Sequence, residues 1–400
     1  MAHDATLTPA TGIRGLWRAW DQFWFRPGDP TTLGFIRLVG GLMILYVHLV
    51  YSYDLQTLFG ADAWLNVEFA KDIVKEAPIS TPPPTWEKTT DQDLSKLSAD
   101  QRKRVDTWDT LPAYEVGKGR TFFSLWYYLT DPVQMRIAHG IILLCMFFMA
   151  IGFCTRVTTV LSWIGMIFYI NRSSVSVFGV DTMMNILAIY LMIGPSGAAY
   201  SVDRLIERWL AARRGKPIGP ADLPAPSVSA NLAIRLLQVH VCIVYTMSGL
   251  SKLQGSSWWN GMAAWGTMSN YEFSPLANHL YIRFLEALCA HRWVWEIVMM
   301  GGSWMTLLLE CTYAFGIWNR KSRWLYLIAL AIFHLNIAFF MGLVGFSIVM
   351  MVMNLCWIPG TTIRAFFASL RSQAPPSAQA TSTLPSGRGK LAVSGTALLR

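Results

Sequence analysis

Apolar runs alternate with short polar breaks along most of this chain, and the runs are too long for the core of a soluble domain. Eight of them read as membrane-crossing helices: about 32–53, 134–153, 156–171, 177–195, 231–250, 294–318, 323–341 and 343–358. The breaks are brief. Thr155-Arg156 separates the second and third, NRSSVSVFGVD the third and fourth, NRKSR the sixth and seventh, and Gly342 the last two. The pattern predicts an all-α, polytopic integral membrane helix bundle with about eight transmembrane helices.

Two stretches depart from that rhythm. Residues 54–135 form a polar insert with 13 acids and 9 bases, so 9 − 13 = −4. It is Pro-, Ser- and Thr-rich and reads as a flexible loop with one short helix near 93–106. Residues 254–293 are rich in Trp, Asn and Gly and read as mostly irregular or re-entrant.

The ends divide the chain further. Residues 1–27 are a polar tail followed by IRGLWRAWDQFWFRP, whose aromatics and arginines at helical spacing suit an interfacial amphipathic helix. Residues 28–358 carry the membrane domain with its insert. Residues 359–400 are basic, lack acids and read as a disordered tail.

Composition agrees with a bilayer setting: 53% of residues are hydrophobic and only 14% charged, against about 25% charged in a soluble domain. The net charge of +9 does not indicate nucleic acid, because the basic residues lie in short loops between apolar runs. With the N-terminus inside and eight crossings, the basic segments 203–216, 319–323 and the tail all fall on the inner side. The acidic insert falls on the non-cytoplasmic side. This orientation leaves both termini cytoplasmic, and the expected setting is a bacterial inner membrane. None of the six cysteines forms a CxxC pair, and no His pair at i, i+4 builds a metal site.

The chemistry concentrates in Gln238 to Gly261, QVHVCIVYTMSGLSKLQGSSWWNG. At about 100° per residue, Gln238, Tyr245, Gly249 and Lys252 share one narrow helix face. A polar stripe ending in an amine faces a protein interior or cavity, since lipid contact is costly. Lys252 then has two readings. It is an interfacial anchor that snorkels to the headgroups, or an amine short of water that acts as a base near neutral pH.

Other charges in apolar runs need partners. Arg37 lies a turn inside the first run, and Arg172 lies in the break between the third and fourth. Glu310 lies deep in the sixth and is read as the structural counter-charge of Arg37 or Arg172, with a proton path as the alternative. His48, His139, His240 and His334 read as hydrogen-bonded interior residues. Asn336 and Asn354 read as helix glue.

The string SGLSKLQGSSWWNG resembles the signature of the horizontally transferred transmembrane (HTTM) domain family, which includes vitamin K-dependent gamma-glutamyl carboxylases. The resembling positions are Ser248, Gly249, Lys252, Leu253, Trp258 and Gly261. Asp29, Pro30 and Arg37 are similar to the family's opening segment. Asp181, Pro195, Ser201 and Asp203 are similar to its fourth-helix block. The resemblance implies Lys252 as a catalytic base and a reduced, vitamin K-type quinone as cofactor, with Trp258, Trp259, Tyr245 and Gly249 around it. Arg37, Arg172, Asp181 and Glu310 are further site candidates.

Two departures matter. Asn171-Arg172-Ser173-Ser174 stands where the carboxylases resemble NHSY, and no large soluble domain follows the membrane part. The resemblance therefore leaves two expectations: a carboxylase-like or quinone-using enzyme, or a non-catalytic membrane subunit or peptide-maturation accessory of a larger complex. The expected partners are the lipid bilayer and a peptide or membrane protein, with no nucleic acid.

Overall fold

A computed structural model describes residues 12–76, 98–99, 123–216, 223–272 and 274–372. Among them the architecture is all-helical, with no strand beyond a single bridge between Gly28 and Ser227. The helices at the eight expected spans are Thr31–Val50, Pro132–Ile151, Thr155–Arg172, Gly179–Ile193, Val228–Leu253, Arg292–Gly316, Arg323–Met341 and Val344–Asn354. Each packs on the next in sequence, and Val344–Asn354 returns to Thr31–Val50, so the bundle closes.

Four of these helices are long and apolar enough to cross a membrane: Thr31–Val50, Pro132–Ile151, Val228–Leu253 and Arg323–Met341. A fifth crossing is counted if Val344–Trp357 and Gly360–Leu370, bent by 106°, make one broken span. The other three expected spans exist as helices, each with a physical shortfall. Gly179–Ile193 has 15 residues, about 22 Å at 1.5 Å per residue, against about 30 Å of hydrocarbon. Thr155–Arg172 carries Thr, Ser and Asn along its length and an arginine near each end. Arg292–Gly316 holds Glu296, Glu310 and three tryptophans.

Small residues set how closely the helices pack. A Cβ placed on Gly41 would lie 2.7 Å from the Ala150 Cα, and one on Gly34 would lie 2.5 Å from the Ala199 carbonyl oxygen. The core between the helices is formed by Leu33, Ile44, Met146, Leu187, Leu237 and Met353 with their neighbours. Helix ends are specified locally. The Asp131 side chain accepts from the Val133 and Gln134 N–H groups, and Pro132 occupies the first turn, where its missing N–H costs nothing.

Several expectations need correction. Residues 254–293 are mostly helical, as Ser256–Trp259, Met262–Met268 and His279–Ala290. Short helices broken by Asn, Gly and Ser-Pro carry no long period, so the pattern concealed them. The start of the expected tail, Gly360–Ser372, is a helix, held by Arg364 through Asp29 at 2.6 Å. The insert opens with two helices, Leu55–Phe59 and Val67–Glu76. The helix expected over 93–106 lies almost wholly outside the described residues, as does the tail beyond 372. Asn336 glues no helices: its amide donates to Ile332 O one turn back in its own helix. Asn354 does join helices, through Tyr245 and Tyr313.

The amphipathic segment Ile13–Phe25 is a helix with no buried residue. It docks on the start of Val228–Leu253, where the Asn231 amide donates to the Phe23 and Trp24 carbonyls.

Candidate functional site

Val228–Leu253 begins at Ser227, whose hydroxyl accepts from the Ala230 N–H, and runs 26 residues to its end beside Gly255. Its inward face carries the predicted stripe. Gln238, Tyr245 and Gly249 are buried, and Lys252 is partly exposed. Gly249 brings Val228–Leu253 and Arg292–Gly316 close: an added Cβ would lie 2.8 Å from Cys311 Sγ and 3.0 Å from its backbone nitrogen. That close approach lets Lys252 reach the neighbouring helix.

The Lys252 ammonium lies 2.9 Å from Oε2 and 3.0 Å from Oε1 of Glu310. The lysine side chain is 22% exposed and the glutamate side chain 3%. Oε2 accepts no directed hydrogen bond, so the aimed bond goes to Oε1 despite the similar distance. Ser248 completes the cluster. Its hydroxyl accepts from the ammonium at 2.5 Å and donates to Oε1 at 3.2 Å. The Trp258 ring centroid lies 5.3 Å from the ammonium, within cation–π reach.

The expected counter-charges are therefore corrected. Glu310 neutralises Lys252, and among the described residues neither buried arginine forms a salt bridge with an acid. Arg37 is fully buried and donates to the Met149 carbonyl at 3.2 Å and to the Tyr200 carbonyl. Arg172 is also fully buried and donates to the Phe59, Gly60 and Leu65 carbonyls at 3.2, 2.8 and 2.8 Å. A guanidinium carries five donors in a fixed fork, so carbonyls at helix ends and turns serve it well.

Other candidates sit apart from the lysine. Trp259 is 53% exposed, and its indole N–H donates to the Leu253 carbonyl, which ends the helix. Tyr245 belongs to a buried network. Its hydroxyl meets His334 Nε2 at 2.7 Å and accepts from the Asn354 amide at 3.0 Å. Tyr313 donates to Asn354 Oδ1 and accepts from the Trp357 indole, both at 2.7 Å. Asn and Trp side chains do not hand protons on readily, so this network fixes packing rather than conducting. The remaining histidines are bonded inside the bundle as expected: His48 to the Ile44 carbonyl, His139 to Ser52 and Tyr169, and His240 to Tyr190.

Asp181 lies at the start of Gly179–Ile193, where it accepts from the Phe178 N–H at 3.0 Å. It lines a cavity of about 510 Å³ bounded by Tyr51, Phe59, Tyr169, Phe178 and Phe346. A smaller cavity of about 190 Å³ lies around Thr155 and Asp203. Lys252, Glu310 and Trp258 line neither. Among the described residues, no three His, Cys, Asp or Glu side chains converge as a metal site.

The sequence reading assigned no role to Ser248, and the signal for one was present. Ser248 precedes Lys252 by four residues, which is hydrogen-bonding distance on a helix. No family model, curated protein or solved structure matches this chain.

Proposed function

We propose that this chain is an eight-pass, HTTM-like integral membrane protein whose Lys252–Glu310–Ser248 cluster accepts a proton from a hydroxyl on an amphipathic, quinol-type substrate. The observation that supports this reading is the arrangement itself: a lysine bonded to a buried carboxylate and a hydroxyl, beside an aromatic ring and still partly open to water.

The donor set suits the hydroxyl of a reduced quinone. Trp258 offers a ring, Ser248 an oxygen and Lys252 a nitrogen at one edge of the bundle. A reduced quinone supplies an acidic hydroxyl and, once deprotonated, an electron-rich ring that reacts with oxygen. The residues manage the proton. Lys252 Nζ passes one proton to Glu310 Oε1, takes up the hydroxyl proton and is again an ammonium. Ser248 Oγ keeps both groups in register. The pair therefore goes from net charge zero to +1, with the stored proton on Glu310, and the deprotonated hydroxyl oxygen carries the balancing negative charge. Such general-base assistance contributes about 10²- to 10⁴-fold to rate.

On the charge-based orientation, Lys252 and the insert share the non-cytoplasmic side of a bacterial inner membrane, and a peptide substrate would approach there. The second reading, a non-catalytic membrane subunit or peptide-maturation accessory, is favoured by one observation: Lys252 lines neither cavity.

The deciding experiment uses purified protein in nanodiscs with a reduced vitamin K-type quinone, bicarbonate and a glutamate peptide. Turnover by the native chain and its loss in Lys252→Ala and Glu310→Gln, at equal folded protein, is the expected result. Equal turnover in all three removes the catalytic assignment. No turnover in any, with the pair still required for folding, selects the second reading.

A further inference from the structure

The 510 Å³ cavity has the size of a site for a drug-sized molecule. It sits where Thr155–Arg172 ends, Gly179–Ile193 begins and the turn at Gly342 and Leu343 joins two long helices. Three of its rings, Tyr51, Phe59 and Tyr169, pack on one another with centroids 5.1 to 5.6 Å apart. The buried His48 ring backs Tyr51 and Tyr169 at 5.3 and 5.1 Å. The Tyr169 hydroxyl is fixed by His139 Nδ1 at 2.6 Å, and His139 by the Ser52 hydroxyl at 2.8 Å. The wall is therefore rigid before any ligand arrives.

Asp181 is the acidic residue lining this cavity. Its carboxylate is half-buried and contacts the Phe178 N–H and the Tyr51 hydroxyl. Among the described residues, no lysine, arginine or histidine forms an ion pair with it. A carboxylate withdrawn from water without a counter-ion attracts a cation, and Phe and Tyr rings bind organic cations through their faces. At the rim, Phe178 and Val344 are 59% and 53% exposed and apolar. They offer a path for a hydrocarbon tail into lipid.

We propose that this cavity is a binding site for an amphipathic organic cation, an ammonium headgroup on an apolar tail, with Asp181 as counter-ion and Tyr51, Phe59, Tyr169 and Phe346 as its aromatic wall. The site is separate from the lysine cluster and does not depend on the function proposed for it.

The test uses the full chain in nanodiscs, titrated calorimetrically with hexyltrimethylammonium, its neutral tert-butyl isostere and hexyl sulfate, against empty nanodiscs. The cation should bind at least tenfold tighter than the neutral isostere, and hexyl sulfate should not bind. Asp181→Asn keeps the acceptor for the Phe178 N–H and should abolish the preference for the cation. Lys252→Ala, wherever it folds, should leave that preference unchanged. A measurement without variants guards against misfolding: carbodiimide modification of Asp181, read by mass spectrometry, should slow with the cation and not with hexyl sulfate. Equal binding of cation and isostere overturns the proposal. So does a cation preference that survives Asp181→Asn, or modification that the cation does not slow.

Discussion

The Lys252 ammonium and the Glu310 carboxylate form a nearly symmetric pair, 2.9 and 3.0 Å from nitrogen to the two oxygens, with the acid 3% exposed and the base 22%. The pair joins two helices whose residues stand 58 positions apart in the chain. Its strength lies in what happens when half of it is missing. Lys252→Met leaves a buried carboxylate without its counter-charge and should cost about 3–5 kcal/mol. The double variant Lys252→Met with Glu310→Leu should recover most of that. Thermal unfolding of all three forms in the same detergent checks this. A single variant as stable as the native chain would show that the pair carries no folding energy.

Gly249 sets the distance that the pair exploits. In Gly249→Ala the new methyl meets Cys311 Sγ at 2.8 Å and, more stubbornly, the Cys311 backbone nitrogen at 3.0 Å. A backbone atom cannot rotate away, so Val228–Leu253 and Arg292–Gly316 must separate. The expected cost is about 1–3 kcal/mol. The Lys252 amine should also react faster with a membrane-impermeant acylating reagent. Unchanged reactivity together with unchanged melting would remove the glycine from the account.

Arg172 anchors the beginning of the insert. Its three bonds go to carbonyls at and just beyond the end of Leu55–Phe59, and hydrogen bonds to charged donors contribute about 1.5–3 kcal/mol each. Arg172→Met should cost about 3 kcal/mol or more and expose residues 55–76 to proteolysis. Arg172→Lys should recover only part, because one ammonium cannot reproduce the fork. Limited proteolysis with mass mapping of the cuts gives the readout.

The clamp between Asp29 and Arg364 predicts a pH dependence. Burial on its own would raise the Asp29 carboxyl. Hydrogen bonds from the Thr31 side chain and backbone and the Arg364 guanidinium outweigh burial and hold it below its ordinary value of 3.8. A depressed carboxyl stabilises the folded form above the unfolded value and loses that contribution as the pH falls through the folded one. Docking of Gly360–Ser372 should therefore persist at pH 5 and weaken only below pH 3.8. Hydrogen exchange in that helix, native against Arg364→Ala, measures it. Undocking between pH 5 and 7 would contradict the clamp.

What was legible in the sequence follows from range. The inward stripe of Gln238, Tyr245, Gly249 and Lys252 is a property of one helix, and 3.6-residue periodicity carries it. The hydrogen-bonded histidines were legible because a buried imidazole must find a partner. The partner of Glu310 was not legible: pairing is decided by which helices pack together, and Arg37 and Arg172 looked equally eligible. Their use of carbonyls was hidden because main-chain acceptors leave no mark in residue identity. Gly360–Ser372 was missed because a Ser- and Ala-rich tail follows it and masked its own Ile363, Phe366, Phe367 and Leu370 spacing.

The carbonyls that satisfy Arg37 come from residues 112 and 163 positions further along the chain. When the first hydrophobic helix leaves the ribosome, neither partner has been made. Its guanidinium must then stay hydrated, at the channel wall or the headgroup layer, until Tyr200 is synthesised. The opening helix thus reaches its final depth late, and a nascent chain stopped before that point holds an unsettled first segment.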